Sequence, residues 1–156
     1  AGNSTFYFSN HFKRVTSYES SKIWLQEIEK EIPNNVKLIK NKNLVNQLKK
    51  ENLNSFEVIL IDSSENRASL TKEIINQKYE GLLFFDNSDI YRNSIKMLTN
   101  INFIEIPFFG IKPIEGNISC TSLLIKKDKL QDFFNPNWVK YPYLSYPLTN
   151  NLWDKT

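Results

Sequence analysis

The sequence predicts an open α/β fold with a mostly parallel sheet that finishes in an antiparallel strand pair. Short apolar runs alternate with amphipathic stretches, which is the order expected of strands and crossover helices. Residues 56–62 and 81–86 are almost continuously apolar, as strands covered on both faces should be. The strands predicted at 103–109 and 118–125 are joined by a link too short for a helix, so we expect them to pair antiparallel.

The first elements follow from local signals in chain order. Ser4 or Thr5 can cap a helix that runs to about residue 11, and residues 14–19 form a strand. A helix is predicted over 22–32, because apolar side chains recur there at helical spacing, and Pro33 ends it. That spacing favours Trp24 as a core residue, and its position over the acidic strand end leaves contact with an adenine ring as the alternative. A strand at 36–39 and a helix from residue 44 follow.

The central elements continue the alternation. After the buried strand 56–62, residues 66–77 show the apolar spacing of a helix. After the buried strand 81–86, Ser88 or Asp89 can cap another helix. We therefore expect one α/β domain over residues 1–126. The aromatic, proline-broken segment 127–156 is predicted to be a tail packed on that domain.

The composition of the chain argues against nucleic acid and membranes as partners. The chain has 156 residues and a net charge of +3, and its lysines are interleaved with acidic residues, so no basic stripe for nucleic acid is present. No apolar run has the length of a membrane span and no signal peptide is visible, so we expect a cytoplasmic protein with no membrane partner. The single cysteine, Cys120, excludes an intrachain disulfide and is expected to be buried. The oligomeric state is not predicted.

Three predicted parallel strands end in an acid, namely Glu19, Asp62 and Asp86. Ligands of open α/β sheets bind outside the carboxyl ends of the strands, so these acids can share one site. Independent helix caps are the alternative reading. The carboxylates of Asp62 and Asp86 with the amide oxygen of Asn87 would also form an all-oxygen set suited to Mg²⁺. The alternative there is a turn in which Asn87 serves only to shape the backbone.

Arg67 follows Asp62 on the first turn of a predicted helix. It can bind a substrate carboxylate or phosphate in a bidentate manner, or it can pair with Asp62 or Glu65. His11 is expected at the surface, and one histidine with one cysteine cannot build a zinc site or a histidine triad. Thr121 and Ser122 lie in a strand and can simply pair with backbone.

A glycine-containing turn stands near the start of the chain, made of Gly2, Asn3, Ser4 and Thr5. A turn of this kind lets backbone approach a ligand, and an acid at the end of the next strand can accept both ribose hydroxyls of a nucleoside. The turn and Glu19 therefore predict a nucleoside-binding half-domain.

Taken in order, these motifs resemble class I S-adenosylmethionine-dependent methyltransferases. Residues 1–5 resemble the end of their glycine-rich loop, Glu19 stands where they keep the ribose acid, and residues 81–87 resemble their apolar segment ending in Asp-Asn. The resemblance covers residues 1–126. It implies a Rossmann-like sheet whose central first strand is missing from this chain, which leaves a gap.

The resemblance also implies roles for the candidate residues. The turn at residues 2–5 would approach the methionine end of S-adenosylmethionine, Glu19 would bind its ribose, and Asp62, Asp86, Asn87 and Arg67 would face the reacting end. The three oxygen-bearing residues are similar to the metal site of cation-dependent O-methyltransferases, in which Mg²⁺ polarises a substrate hydroxyl. This chain departs from that pattern at Glu65, where those enzymes have a lysine.

The implied function is methyl transfer to an oxygen or nitrogen atom of a small molecule or glycan-type substrate. Two alternatives stay open. One is a degenerate, non-catalytic α/β binding module, which the missing strand and the aromatic tail favour. The other is an α/β transferase that uses a sugar nucleotide, whose acids would also line a crevice at the strand ends.

Overall fold

The architecture is an α/β arrangement in which strands and helices alternate. The computed structural model describes residues 2–41, 43–63, 66–111 and 116–133. The strands in this part of the chain are β1 (Val15–Glu19), β2 (Val36–Lys40), β3 (Val58–Ile61), β4 (Leu82–Phe85), β5 (Phe103–Ile111) and β6 (Ile118–Lys126). The helices are α1 (Asn3–Ser9), α2 (Lys22–Ile28), α3 (Leu44–Leu48), α4 (Arg67–Asn76), α5 (Arg92–Thr99) and α6 (Leu130–Phe133).

The strands form two separate sheets. β1 and β2 pair in parallel, and a second sheet has the order β3-β4-β6-β5. In that sheet β3 and β4 are parallel, whereas β6 is antiparallel to both β4 and β5. This confirms the predicted class, an open α/β sheet with a closing antiparallel pair. No ladder joins β1 to β3 among the described residues.

The main hydrophobic core lies in the part of the chain that contains the four-stranded sheet. It includes Leu83, Phe85, Leu98 and Leu124, each with no exposed surface. The strands β3 and β4 have continuous apolar sequence, of which Ile61, Leu83 and Phe85 are buried and the other positions are half-buried. The helices α4 and α5 contribute further core side chains. The carboxyl ends of β3 and β4 therefore lie beside this buried core.

Among the described residues β6 alone pairs with β5, so β5 lies at the edge of the sheet that these residues form. The far end of the β5–β6 pair exposes large apolar side chains, namely Phe108, Phe109, Ile111 and Ile118. Pro107 lies in the middle of β5, opposite Ser122. Proline is tolerated in a sheet only where its missing N–H is not needed by a neighbouring strand.

The helix α2 differs from the prediction in length and in orientation. It ends at Ile28 instead of residue 32, and it buries Leu25 and Ile28. Trp24 is 55% exposed, so its expected place in the core is wrong. A helix of seven residues presents only about two turns to the strand below it, which is too little surface to cover the neighbouring apolar positions as well.

The helix caps also differ from the prediction. Gly2, rather than Ser4 or Thr5, is the N-cap of α1. The N-cap of α5 is Tyr91, not Ser88 or Asp89. The side chains of Ser88 and Asp89 instead bond to the backbone of Cys120 in β6, so they fasten the preceding loop to the sheet.

Two single-residue expectations are confirmed, because His11 is exposed and Cys120 is buried. None of the described helices is both long enough and apolar enough to cross a membrane. Residues 134–156 of the predicted tail lie outside the described residues, so the proposed division into a domain and a packed tail stays a prediction.

Candidate functional site

Arg67 joins the loop after β3 to the loop after β4. Its side chain is only 5% exposed, and its Nε donates to the carbonyl oxygen of Ser63 at 2.6 Å. Nη1 donates to the carbonyl oxygen of Asp86, and Nη2 lies 3.4 Å from Oδ1 of Asn87. The ring of Tyr91 lies 4.4 Å from the guanidinium carbon. A planar, always charged group with several donors is well suited to fix two loops at once.

Asp62 contributes the exposed part of this cluster. Its Oδ1 lies 3.5 Å from Nη2 of Arg67, and its side chain is 56% exposed. The ion pair is therefore long and well solvated, so most of the carboxylate stays available to a ligand. The arrangement matches the interpretation of Arg67 as a partner of Asp62, and Arg67 as a substrate contact stays a prediction.

The expected Mg²⁺ site gains no support from this geometry. The described residues include no group of three or more His, Cys, Asp or Glu side chains placed to bind a metal ion. Nη2 of Arg67 lies within 3.5 Å of oxygen atoms from both Asp62 and Asn87, two of the three proposed ligands. The guanidinium charge thus occupies the position of the cation that these oxygens would have attracted, and it would repel a divalent ion.

The strand β6 fixes the loop after β4 through successive residues. Oγ1 of Thr121 donates to Oδ1 of Asp86 at 2.8 Å, and the backbone N–H of Cys120 donates to Oδ1 of Asp89 at 3.3 Å. The hydroxyl oxygens of Ser122 and Ser88 are 2.6 Å apart. The loop over residues 86–89 is therefore bound to the sheet by side chains as well as by backbone.

A charged pair extends this network toward the surface. Arg92 donates to both carboxylate oxygens of Glu105, at 2.7 and 2.9 Å, and Oγ of Ser122 lies 2.7 Å from the same carboxylate. The hydrogen bonds from Arg92, helped by Ser122, hold the pKa of Glu105 below its usual value, although burial acts in the opposite direction. Glu105 is therefore ionised near neutral pH and accepts from both partners.

The glycine-containing turn is bound to β1. The N–H of Gly2 donates to Oγ1 of Thr5 at 3.3 Å, and that hydroxyl oxygen lies 3.0 Å from Oγ of Ser17 in β1. Thr5 is 4% exposed. Burial of a hydroxyl with two partners fixes the start of α1 against the face of β1. The turn is thus held by specific contacts against the middle of β1, the strand that ends in Glu19.

Glu19 ends β1, as predicted. Its Oε1 accepts from the N–H of Ser21 at 2.8 Å, beside the start of α2. Burial acts to raise the pKa of this carboxyl group, and hydrogen bonds that include those from the N–H groups of Ser21 and Ser20 lower it, so the net pKa lies below its ordinary value. The carboxylate is half-buried and ionised, which suits a group that accepts from ribose hydroxyls.

A large cavity runs between the two sheets. Its volume is about 1090 Å³, and both β1 and β3 line it along their lengths. Ser4, Thr5, Asp62 and Ser63 also line it. The structure thus brings part of the predicted turn to the same cavity as Asp62, while Asp62, Asp86, Asn87 and Arg67 form one cluster. Glu19 does not line the cavity, so its membership of the same site stays a prediction.

The contributions of Thr121 and Ser122 were missed by reasoning from the sequence. The expectation was that they pair with backbone, yet their hydroxyls contact Asp86, Ser88 and Glu105. The signal was present in two polar clusters, Asp-Asn-Ser-Asp after β4 and Thr-Ser inside the apolar β6. Adjacent polar residues in an otherwise apolar buried strand require hydrogen-bond partners, and a polar loop is the nearest source.

The comparisons with known proteins concern the fold. No protein-family model matches the chain, and no curated protein sequence matches it. Among solved structures, the chain resembles SMU.1697c, a proposed methyltransferase from Streptococcus mutans in complex with SAH. The TM-score is 0.54 and the identity 15%, over 79% of this chain and 82% of that one.

Two further structures are similar over a smaller share of their lengths. The precorrin-6y C5,15-methyltransferase of Geobacter metallireducens has a TM-score of 0.44 and 14% identity, over 71% of this chain and 65% of that one. The precorrin 8w decarboxylase of Methanobacterium thermoautotrophicum has a TM-score of 0.45 and 12% identity, over 72% and 68%. Of these three structures, SMU.1697c has a TM-score above 0.5. The chain therefore has an open, Rossmann-like α/β fold similar to that of SMU.1697c.

Proposed function

We propose that this protein is an S-adenosylmethionine-dependent methyltransferase that modifies an oxygen or nitrogen atom of a small molecule or glycan-type substrate. The observation that carries the proposal is the position of the turn at the start of α1, whose Ser4 and Thr5 line one cavity together with Asp62. In open α/β folds, ligands bind where loops at the strand ends meet in this way. The likeness in fold to a protein solved with SAH supports the same ligand class.

Different residues would contact the methionine end and the ribose of S-adenosylmethionine. The backbone of Gly2, Asn3, Ser4 and Thr5 would approach the methionine end, because the turn is fixed to β1 through Thr5. The ionised carboxylate of Glu19 would accept from the ribose hydroxyls. Both contacts use groups that are already bound in place, so little ordering is required on binding.

The cluster around Arg67 would face the reacting end. Bound S-adenosylmethionine supplies an activated methyl group, and transfer from sulfur to a nucleophile depends mainly on alignment and exclusion of water. The exposed carboxylate of Asp62 can accept a hydrogen bond from the acceptor substrate. Asp86 and Asn87 would shape the opposite wall, and Arg67 keeps both loops at a fixed separation.

Calorimetric titration of the chain with S-adenosylhomocysteine tests the proposal. We expect saturable binding, and Glu19→Ala should weaken it by roughly 10- to 100-fold, the cost of losing charged hydrogen bonds. Glu27→Ala is the matched control, since it removes the same charge from an exposed position on α2. Equal affinity for the two variants would overturn the role of Glu19. Absence of saturable binding would overturn the proposed function.

One observation favours a second candidate, a non-catalytic α/β binding module. β1 and β3 do not pair in the described part of the chain, so the two sheets stay separate on either side of the cavity. A module of this kind would bind neither S-adenosylhomocysteine nor a sugar nucleotide. The same titration, repeated with a uridine diphosphate sugar, separates this candidate and the sugar-nucleotide transferase from the methyltransferase.

A further inference from the structure

The β5–β6 pair projects beyond the end of β4. Among the described residues, β4 pairs with β6 as far as Phe85 and Ser122, whereas the β5–β6 ladder continues to Ile111 and Ile118. The projecting residues 118–121 of β6 span about 14 Å, at about 3.4 Å per residue. This projecting part stands at the carboxyl end of β4, so it forms a wall beside the candidate site.

One row of side chains crosses the four strands of the sheet at the base of this wall. Asp62 and Asp86 each follow the last registered pair of β3 and β4, so they hold corresponding positions at the two strand ends. Oγ1 of Thr121 donates to Oδ1 of Asp86 at 2.8 Å. Phe108 is the partner of Thr121 in the antiparallel ladder. Opposite residues of such a ladder share a face of the sheet, so Phe108 lies on the same face as the carboxylate of Asp86.

The two ends of this row are exposed, and its middle is not. The side chain of Asp62 is 56% exposed, and Phe108 is 55% exposed. Asp86 and Thr121 lie between them, half-buried and bonded to each other. A ligand that lies along the row would therefore meet a hydrogen-bond acceptor at one end and an aromatic ring at the other.

The spacing of the strands sets the length of such a ligand. Asp62 and Phe108 are separated by three strand intervals, which is about 14 Å between their backbone positions. A hydrogen bond to the carboxylate takes about 2.8 Å, and contact with the ring takes about 3.5 Å. About 8 Å then remains for the body of the ligand, which is close to the length of two fused six-membered rings.

The surroundings of Phe108 favour an aromatic body over a sugar. Its neighbours on the same face of β5 are Ile106 and Gly110, which have no polar side chain. The hydroxyl of Thr121 is already donated to the neighbouring carboxylate, and Ser119, opposite Gly110, adds one hydroxyl. A sugar requires partners for several hydroxyl groups, whereas a planar apolar ring is stabilised by packing on Phe108 alone.

The row leads away from the cavity in which the cofactor is proposed to bind, because Asp62 lines that cavity. We propose that Phe108 is a substrate-binding residue of this site, and that the acceptor substrate is a planar aromatic alcohol or amine of about two fused rings. Its hydroxyl or amino group bonds to Asp62 beside the cavity, and its far ring packs on Phe108. This inference rests on the proposed methyl transfer, because that function makes Asp62 the partner of the acceptor.

Calorimetric titration with 2-naphthol, in the presence of saturating S-adenosylhomocysteine, tests this inference. We expect saturable binding, weakened by roughly 3- to 10-fold in Phe108→Leu, which loses ring packing but keeps apolar bulk. Phe108→Tyr retains the ring and should bind as the parent does. Phe109→Leu is the matched control, because it makes the same change at the next residue, which is also exposed but faces the opposite side of β5. It should leave the affinity for 2-naphthol unchanged.

Titration with S-adenosylhomocysteine alone reads out the proposed function separately, and its affinity should be the same in the parent and in Phe108→Leu. Failure of the parent to bind it overturns the proposed function and this inference with it. Binding of S-adenosylhomocysteine without binding of 2-naphthol overturns this inference alone. So does equal weakening by Phe108→Leu and Phe109→Leu, equal affinity for the saturated decahydro-2-naphthol, or binding of maltose in place of 2-naphthol.

Discussion

The hydroxyl of Thr121, in the middle of β6, donates to the carboxylate of Asp86 at the end of β4, with the oxygens 2.8 Å apart. The contact joins an antiparallel strand to a parallel one at the rim where the candidate site lies. It orients one carboxylate oxygen of Asp86, while Arg67 binds the backbone carbonyl of the same residue. Asp86 is therefore fixed through both its side chain and its backbone.

Replacement of Thr121 by valine tests this orientation. Thr121→Val removes the hydroxyl with little change of shape, and we expect it to lower the free energy of unfolding by about 1 kcal/mol, measured in urea. Thr121→Ser keeps the hydroxyl and is the matched control. A Thr121→Val variant as stable as the parent, or more stable than it, would contradict this contribution of the hydrogen bond.

Replacement of Arg67 by methionine tests the connection between the two loops. The variant retains bulk but leaves the carbonyl oxygens of Ser63 and Asp86 without their charged donor, so we expect a loss of roughly 2–4 kcal/mol in stability. The contact with Asp62 adds little to this figure, because that carboxylate is well exposed. Arg14→Met, at an exposed position, should change stability by no more than about 0.5 kcal/mol. A difference of less than that between the two variants contradicts the proposed connection.

The pair of Glu105 and Arg92 predicts a pH dependence. The pKa of Glu105 is lowered from 4.5 in the folded protein, so its contribution to stability is fully present above that value. The contribution is lost as the pH falls from 4.5 through the lower, folded pKa. In urea unfolding at pH 6 and pH 3, Glu105→Gln should be less stable than the parent at the higher pH, and the difference should shrink at the lower pH. A difference that is constant with pH would show that ionisation of Glu105 is not its source.

Gly81 marks a close approach of two strands. A Cβ atom at this position would lie 2.6 Å from the carbonyl oxygen of Glu57, which accepts the first bond of the β3–β4 ladder, and would also meet the buried ring of Tyr79. Gly81→Ala should therefore cost about 1–3 kcal/mol by overpacking, measured as a fall in thermal midpoint. Gly110→Ala has open space around the added methyl group and should leave the midpoint nearly unchanged. Equal midpoints for the two variants would contradict the close approach.

The parts of the fold that the sequence predicted correctly have strong local patterns. The strands β3 and β4 are nearly continuous apolar runs, and a short run of this kind in an α/β domain is typical of a buried strand. The antiparallel pairing of β5 with β6 followed from the shortness of their connection. In each case the decisive information lay within about a dozen residues of sequence.

The errors occurred where a residue's partner lies far away in sequence. Trp24 shares the helical spacing of Ile28, yet only contact with β1 decides which side of α2 is covered. Ser88 has the chemistry of a helix cap, but Cys120, 32 residues later, provides a carbonyl oxygen for its hydroxyl. Local propensity is a weak guide where tertiary contacts compete with it.

The candidate site likewise contains residues that the sequence predicted and contacts that it did not. The acids at the strand ends were found from the sequence because each ends an apolar run. The hydrogen bonds from Arg67 to two backbone carbonyl oxygens were not predicted, because backbone acceptors leave no signature in the sequence. The proposed Mg²⁺ site also gained no support. The guanidinium group of Arg67 lies beside the oxygen atoms of Asp62 and Asn87 that the sequence had suggested as metal ligands.

Pro107 has a consequence for self-association. The N–H of Lys127 donates to Asn102, so in the antiparallel ladder the odd-numbered residues of β5 direct their backbone groups outward. Pro107 thus removes one donor from the open rim, between Glu105 and Phe109. A strand of a second molecule could not form a continuous hydrogen-bond ladder with this edge of β5. This holds even though the exposed apolar side chains of Phe108, Phe109, Ile111 and Ile118 lie nearby. Pro107 therefore opposes edge-to-edge association of β5 between molecules. Concentrated solutions of the Pro107→Val variant should become turbid sooner than those of the parent protein.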